Sequence, residues 1–570
     1  MIPSVRLPFF LTLALGAIPS FACNGGSDDT GHDTGTEKPL VVVPVSADVN
    51  EATTWTSDNL YRLDVSITVT APLTLESGTI VKFGPGLALT VAEGGSILAE
   101  DGNADHPCVF TSLADDLHGG DTNDDGIATP PAPGDWGYVA VQSSGSVFDH
   151  CLFLYGGSAA PYTGTLVVQH DSAITVTNST FAHNQGGTIE DTRAAAFNAA
   201  GAGAGTVLTG NLFYGDDLPL VIGAAYDFDD TNRFHADVGG TITGSTYDAI
   251  AWGGSYQLTG DVAWRNTDAP YVVTGNPLGI PEGGSLTLGD GVTLKFAAGQ
   301  RIDAVGTLTA TNVHFTSLLD DDTNGDTNGD GGATHAAPGD WGFVSVSSDS
   351  TVLDACTFLY GGNAAPYTGT LTVEAGANPQ VRDSVFAYNA GGTFEDSRAA
   401  TLNLGSAGSG VVVTGNTFYA NDLPMVINGD VSLDDSNTFV DQDSGAHNLL
   451  DAIVMDGTSH AVNGETTWAE TDVAVVLSHT VLSIAAGGSL TLGDGVVVKS
   501  DASRIDVSGG LDVGSDTWFT SLRDDAHVGD TNGDGAATSP VKGDWTGVNL
   551  CLGGPCEWAT WNNILYATNP

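Results

Sequence analysis

Basic residues are scarce in this chain: 570 residues carry 15 Lys plus Arg against 69 Asp plus Glu, a net charge of −54. Nucleic acid and anionic membrane surfaces would both be repelled, which excludes them as partners on charge grounds. Long apolar runs are scarce as well. Leu7 to Ala17 is the run at the N-terminus, and it is too short to span a bilayer. Almost nowhere does an apolar 3.6-residue rhythm persist for three turns, which excludes a mainly helical fold. Without crossover helices an ordinary α/β parallel sheet is excluded too. Cysteine is limited to 6 residues, and no composition shift divides the chain after the first forty or so.

What is present is repetition. Asp121-Thr-Asn123-Asp-Asp125-Gly126, Asp326-Thr-Asn328-Gly-Asp330-Gly331 and Asp530-Thr-Asn532-Gly-Asp534-Gly535 lie 205 and 204 residues apart. Each has Ser-Leu-x-Asp-Asp upstream (Ser112 to Asp116, Ser317 to Asp321, Ser521 to Asp525) and Gly-Asp-Trp downstream (Gly134 to Trp136, Gly339 to Trp341, Gly543 to Trp545). Tyr155-Gly-Gly recurs at Tyr360, and Asn211-x-Phe-Tyr-x-x-Asp217-Leu-Pro recurs at Asn416. The chain is therefore a tandem array, and the array has to be read before the fold. Copy one holds eight extra residues, since Lys82 lies 30 before Ser112 while Lys295 and Lys499 lie 22 before Ser317 and Ser521. That difference maps to a surface loop around Glu100 to Pro107.

The expected organisation is a signal peptide over 1–22, a flexible tether over 23–39, super-repeats over 40–249 and 250–454, and a shortened third copy with a cap over 455–570. Arg6, the apolar run and Pro19-Ser-Phe-Ala22 before Cys23 form an export signal. A cysteine directly after the cut resembles bacterial lipoproteins, which implies lipidation of Cys23 and a cell-surface or outer-membrane location, with plain secretion as the alternative. Ser20 stands where such lipoproteins carry Leu. Cys551 and Cys556 flank Leu-Gly-Gly-Pro and are expected to pair locally. Cys151 and Cys356 are repeat equivalents read as buried thiols, and whether Cys108 pairs with Cys151 stays open.

Short runs such as Thr79-Ile-Val-Lys-Phe83, Val139-Ala-Val and Leu166-Val-Val alternate apolar and polar positions, the rhythm of strands. Val176-Thr-Asn-Ser-Thr-Phe181, Val207-Leu-Thr-Gly-Asn-Leu-Phe213 and Val413-Thr-Gly-Asn-Thr-Phe418 are variants of one phrase recurring every twenty to thirty residues. This resembles the right-handed parallel β-helix of the pectate-lyase-like superfamily over residues 45 to 570. The implied fold class is all-β, a solenoid of about 2.5 super-repeats with roughly 22 residues per circuit. In such a stack Asn178, Asn211 and Asn416 suit turns, where an amide can bond the backbone of its own or the next circuit. A string of β-sandwiches is the alternative, and it predicts breaks near residues 245 and 450.

Asp-x-Asn-x-Asp-Gly sets oxygen side chains at alternate positions before a sharp glycine turn, which suits a hard cation. The loop resembles the calcium loops of EF-hands and dockerins. That resemblance implies side-chain ligands Asp121, Asn123 and Asp125 with the Ile127 carbonyl, then Asp326, Asn328 and Asp330, then Asp530, Asn532 and Asp534. At position twelve, where an acidic closer is expected, stand Ala132, Ala337 and Val541. Flanking carboxylates must complete the shell, either the Asp pairs at 115 and 116, 320 and 321, and 524 and 525, or the Asp before Trp. Asp135, Asp340 and Asp544 are the expected closing groups.

Enzyme motifs of the resembling family do not carry over. Asn266-Thr-Asp268 and His118-Gly119 occur in the wrong order for a polygalacturonase, and no Arg-x-Pro-x-x-Arg of a pectate lyase is present. Glu190-Asp191-x-Arg193 with His183, echoed at Glu395-Asp396-x-Arg398 with Tyr388, reads better as inter-circuit salt bridging than as a paired-carboxylate site. Trp136, Tyr155, Tyr162 and their equivalents Trp341, Tyr360, Tyr367 form either a sugar-stacking stripe or packing beneath the Asp-rich loop. The expectation is a calcium-stabilised structural or adhesive surface rod facing cell-surface polysaccharide or another surface protein. A polysaccharide-binding or polysaccharide-cleaving β-helix is the alternative.

Overall fold

Val, Ile, Thr and Phe alternating with polar positions form strands of two to five residues, closed by Gly, Asn and Asp turns. The computed structural model describes residues 40–159, 164–189, 191, 194–254, 256–363, 369–394, 399–455 and 461–569. The expected signal peptide, tether and Cys23 lie outside the described residues, as do Glu190, Arg193, Glu395, Asp396, Arg398, Tyr162 and Tyr367. No α-helix occurs among the described residues.

One seven-stranded sheet runs Val41–Val45, Asn59–Leu63, Ile80–Phe83, Cys108–Ser112, Cys151–Leu154, Thr180–Ala182 and Leu212–Tyr214, each strand parallel to the next. Between successive members the chain visits two other sheets. After Asn59–Leu63, for example, it lays down Ile67–Val69 in a thirteen-stranded sheet and Pro72–Leu75 in a six-stranded one. The result is all-β, with parallel strands in stacked sheets, compatible with a parallel β-helix or another solenoid. Two named strand pairs are antiparallel: the hairpin Ala236–Val238 with Thr241–Thr243, and Gly547–Leu550 with Glu557–Trp558. Register partners lie 20 residues apart in a bare circuit (Leu60 and Ile80) but 43 apart where the circuit carries an Asp-rich loop (Val109 and Leu152). Loops therefore absorb much of the chain, and the stack has fewer circuits than a uniform 22-residue period implies.

The core is continuous. One buried cluster extends from Val49 to Ala567, so the breaks that a string of sandwiches requires near 245 and 450 are not there among the described residues. Inward phenylalanines stack on their register partners: Phe110, Phe153, Phe181, Phe213 and Phe234 at 4.8 to 5.1 Å, and Phe315, Phe358, Phe386, Phe418 and Phe439 at 4.6 to 5.3 Å. These spacings follow the distance between neighbouring strands, so offset stacking accompanies every added circuit. Buried asparagines brace the corners. Asn211 Nδ2 donates to Val176 O at 2.9 Å and Asn416 Nδ2 to Val381 O at 3.0 Å, while their Oδ1 atoms accept from Ser179 N and Ser384 N. Asn178 instead sits at the surface in the left-handed region and donates to Asp149.

Equivalent strands change sheet from copy to copy. Lys82 lies on Ile80–Phe83 in the seven-stranded sheet, Lys295 on Thr293–Phe296 in the thirteen-stranded sheet, and Lys499 on Val497–Asp501 in a ten-stranded sheet. At each seam one sheet ends and the next takes over its role, and the Asp-rich loops pack there. Gly329 approaches Thr246 O and Tyr247, and Gly533 approaches Leu449 O and Leu450. The loops of copies two and three thus lean on the last residues of the preceding copy.

Candidate metal centre

Each Asp-rich loop begins over a buried lysine. An Ile-Val-Lys-Phe strand places its lysine outward by simple alternation, yet Lys82, Lys295 and Lys499 are fully buried because the loop folds back over them. Lys82 Nζ donates to Asp115 O (2.7 Å), Gly120 O (2.7 Å) and Thr122 Oγ1 (3.2 Å). Lys295 Nζ repeats this with Asp320 O, Gly325 O and Thr327 Oγ1, and Lys499 Nζ with Gly529 O and Thr531 Oγ1. Burial lowers all three ammonium pKa values, to about 8 for Lys295 and Lys499, and the surrounding aspartates oppose that shift. The ammonium is an internal cation that closes the base of the loop.

The Asp pair divides its work. The first member is structural: Thr111 Oγ1 donates to Asp115 Oδ2 at 2.7 Å with His118 Nδ1 at 2.7 Å, Thr316 donates to Asp320, and Thr520 with His527 holds Asp524. The second member keeps one oxygen out of every hydrogen bond. Asp116 Oδ1, Asp321 Oδ1 and Asp525 Oδ1 are each buried with no hydrogen-bond partner, the same oxygen in all three copies. Ligand atoms of Asp321, Asp326 and Asp330 all lie within 4.8 Å of one another. Burial raises the Asp321 pKa, with repulsion from Asp326 and Asp330 adding to it, and burial with repulsion from Asp530 and Asp534 raises Asp525. Asp320, Asp321, Asp326 and Asp330 stand against the one Lys295 ammonium, a negative excess that a divalent cation would reduce.

Within the loops the first aspartate organises the turn. Asp121 accepts from Asp124 N and Gly126 N, Asp326 from Gly329 N and Gly331 N, and Asp530 from Asp534 N and Gly535 N. Asn328 and Asn532 donate to Asp330 and Asp534, whose carboxylates also take the Thr334 and Thr538 hydroxyls. In copy one Asn123 Oδ1 accepts from Asp125 N at 3.4 Å. The Ile127 side chain is exposed, leaving its backbone carbonyl as the group it can offer.

Asp135, Asp340 and Asp544, the expected closing groups, have one carboxylate oxygen engaged at the turn. Their Oδ2 atoms accept from Ser112, Ser317 and Ser521 Oγ at 2.8, 2.8 and 2.6 Å, and from the backbone N–H of Ala132, Ala337 and Val541. They cap the Gly-Asp-Trp turn, and Asp340 is not part of the Asp321 trio. The trio's third carboxylate comes instead from the Asp pair, the other option open in the sequence. The paired Trp residues pack inward: Trp136 and Trp341 are fully buried, donate Nε1 to Leu154 O and Leu359 O, and stack on Phe83 and Phe296. Tyr155 and Tyr360 stack on His183 and Tyr388 of the next circuit, so neighbouring rings cover their faces. Trp136 and Trp341 are therefore packing residues, while Tyr155 and Tyr360 are half-buried. Cys551 and Cys556 are disulfide-bonded beside the antiparallel strand Glu557–Trp558. Comparison with known proteins finds no matching family, no matching curated protein and no matching solved structure.

Proposed function

We propose that this chain is an exported, lipid-anchored, calcium-stabilised right-handed parallel β-helix serving as a structural or adhesive rod on a bacterial surface. The observation carrying the calcium reading is the threefold recurrence of one buried, unpartnered carboxylate oxygen (Asp116, Asp321, Asp525) flanking an Asp-Asn-Asp loop that is anchored on a buried lysine. A buried carboxylate oxygen without a partner is costly, and recurrence in three copies argues for a common ligand. Oxygen-only donors select a hard cation, and the loop's flexibility and carboxylate number favour calcium over magnesium. On this reading Asp116, Asp121, Asn123 and Asp125, with their counterparts in the other copies, hold the ion. Its role is to brace each loop against its circuit and, in copies two and three, against the preceding copy. Repetition of the loop and its flanks on a repeating frame suits a scaffold, which gains from duplicated geometry.

The test is calorimetric titration of calcium into the chelator-stripped full chain, with thermal unfolding followed by circular dichroism. About three sites and a calcium-dependent rise in melting temperature are expected. Absence of both binding and shift would remove the calcium reading and with it the clamp.

A further inference from the structure

We infer that Cys108 and Cys151 form a disulfide that joins two successive circuits beneath the first Asp-rich loop. Cys108 opens Cys108–Ser112, Cys151 opens Cys151–Leu154, and the register pairs these two residues directly, as it pairs Phe110 with Phe153. Both side chains are fully buried in the central core and face the same interior ladder. Neighbouring strands run about 4.8 Å apart, inside the Cα separation of roughly 4.4–6.8 Å that a disulfide spans. In the structure both are free thiols, Cys108 Sγ donating to Glu76 O at 3.4 Å and Cys151 Sγ to Asp149 O at 3.7 Å.

The third core thiol provides an internal contrast. Cys356 stands at the position of Cys151 in the second copy and repeats its bond, Sγ donating to Asp354 O as Cys151 Sγ donates to Asp149 O, but its cross-strand neighbour is Val313, where copy one has Cys108. Register therefore selects one pair of the three. Contact with Cys151 lowers the Cys108 pKa, whereas burial pushes Cys151 well up, so Cys108 is the better attacking sulfur.

The oxidant is an external disulfide, of a small thiol or of a dithiol oxidoreductase, and only this requirement rests on the export reading. The Cys108 thiolate attacks one sulfur of that disulfide, expelling the other as a thiol, and a mixed disulfide forms. Cys151, on losing its proton, then displaces the remaining external sulfur. One S–S bond forms as one breaks, the pair loses two electrons and two protons, and two external thiols carry them away. Because both sulfurs are buried, exchange takes place as Cys151–Leu154 is laid onto Cys108–Ser112 or during local opening there. The bond closes the circuit that carries the first loop, while Cys551–Cys556 sits in the last circuits.

The test folds the full chain in a glutathione/glutathione-disulfide buffer, denatures it without reductant in iodoacetamide, and maps the peptides by mass spectrometry. Expected are an alkylated Cys356 and a cross-linked Cys108–Cys151 peptide pair 2 Da lighter than the two reduced peptides together. In Cys151→Ser, Cys108 becomes alkylated while Cys356 is unchanged. Alkylation of Cys108, Cys151 and Cys356 alike in the wild type, or a cross-link that includes Cys356, would overturn the assignment. Neither readout depends on calcium, so failure here leaves the metal reading standing and failure of the metal reading leaves this one.

Discussion

Glu470 occupies a place where the second copy has an amide. Asn266, its counterpart, donates Nδ2 to Asp229 O and Asn232 O and completes a corner ladder. Glu470 is 1% exposed; its Oε1 accepts from Thr471 N and Asp472 N, and its Oε2 is buried without a partner. Burial, with repulsion from Asp472 and Asp435, raises its pKa from 4.5 to about 8. At neutral pH the folded chain therefore holds it as a neutral acid. In the unfolded chain the same group ionises near 4.5, so between the two values the folded state binds one more proton than the unfolded state. Stability consequently falls as pH rises through this window, by about 1.4 kcal/mol per unit and on the order of 5 kcal/mol in total. Below pH 4.5 the stabilisation is fully present, and above 8 it is gone. Glu470→Gln keeps the shape, supplies a donor for the orphaned position and removes the titration. The assay is hydrogen exchange by mass spectrometry on peptides spanning 465–478, at saturating calcium and at pH values from 5 to 9, with rates corrected for intrinsic exchange. The wild type should lose protection steadily between pH 5 and 8 while Glu470→Gln stays flat, the gap being widest at pH 8 to 9. Parallel profiles for the two proteins would refute the argument and show that Glu470 is ionised in the fold.

Three further outcomes follow from the loops and the core. Asp321→Asn should lower calorimetric calcium stoichiometry from about three to two, whereas Asp340→Asn should retain three sites and loosen the turn at Ala337, read as faster proteolysis there. Lys295→Met leaves the buried Asp320 carbonyl, the Gly325 carbonyl and the Thr327 hydroxyl without their charged donor; a loss of about 3 kcal/mol in local stability is expected, measured as hydrogen exchange over 320–335. Phe358→Ala removes a ring stacked between Phe315 and Phe386 and should cost about 3–5 kcal/mol, read as a lowered urea midpoint for the second copy.

The repeat register, the strand rhythm and the Cys551–Cys556 bond were legible because each depends on local spacing. Corner asparagines were legible for the same reason, at Asn211 and Asn416 if not at Asn178. The lysines show where such reading stops. Lys82, Lys295 and Lys499 recur at a fixed distance before Ser112, Ser317 and Ser521, which marks them as equivalent. Alternation alone nevertheless sends them to solvent, because the atoms that bury them arrive some 30 to 40 residues later in the chain. Their signal was a single cation recurring among apolar strand residues in a chain otherwise poor in bases.

The sequence by itself determined that this chain is a tandem array of short strands with three oxygen-rich loops and an acidic surface, since periodicity and residue chemistry are local properties. Tertiary structure decided which carboxylate each loop meets. Asp321 and Asp340 flank the same loop, and only the folded path brings the first within 4.8 Å of Asp326 and Asp330 while Ser317 and Ala337 hold the second at the turn. It also decided that equivalent strands change sheet at each seam, so that the later loops rest on the preceding copy. Which groups meet across a circuit depends on register between residues 18 to 50 positions apart, and no local pattern encodes that distance.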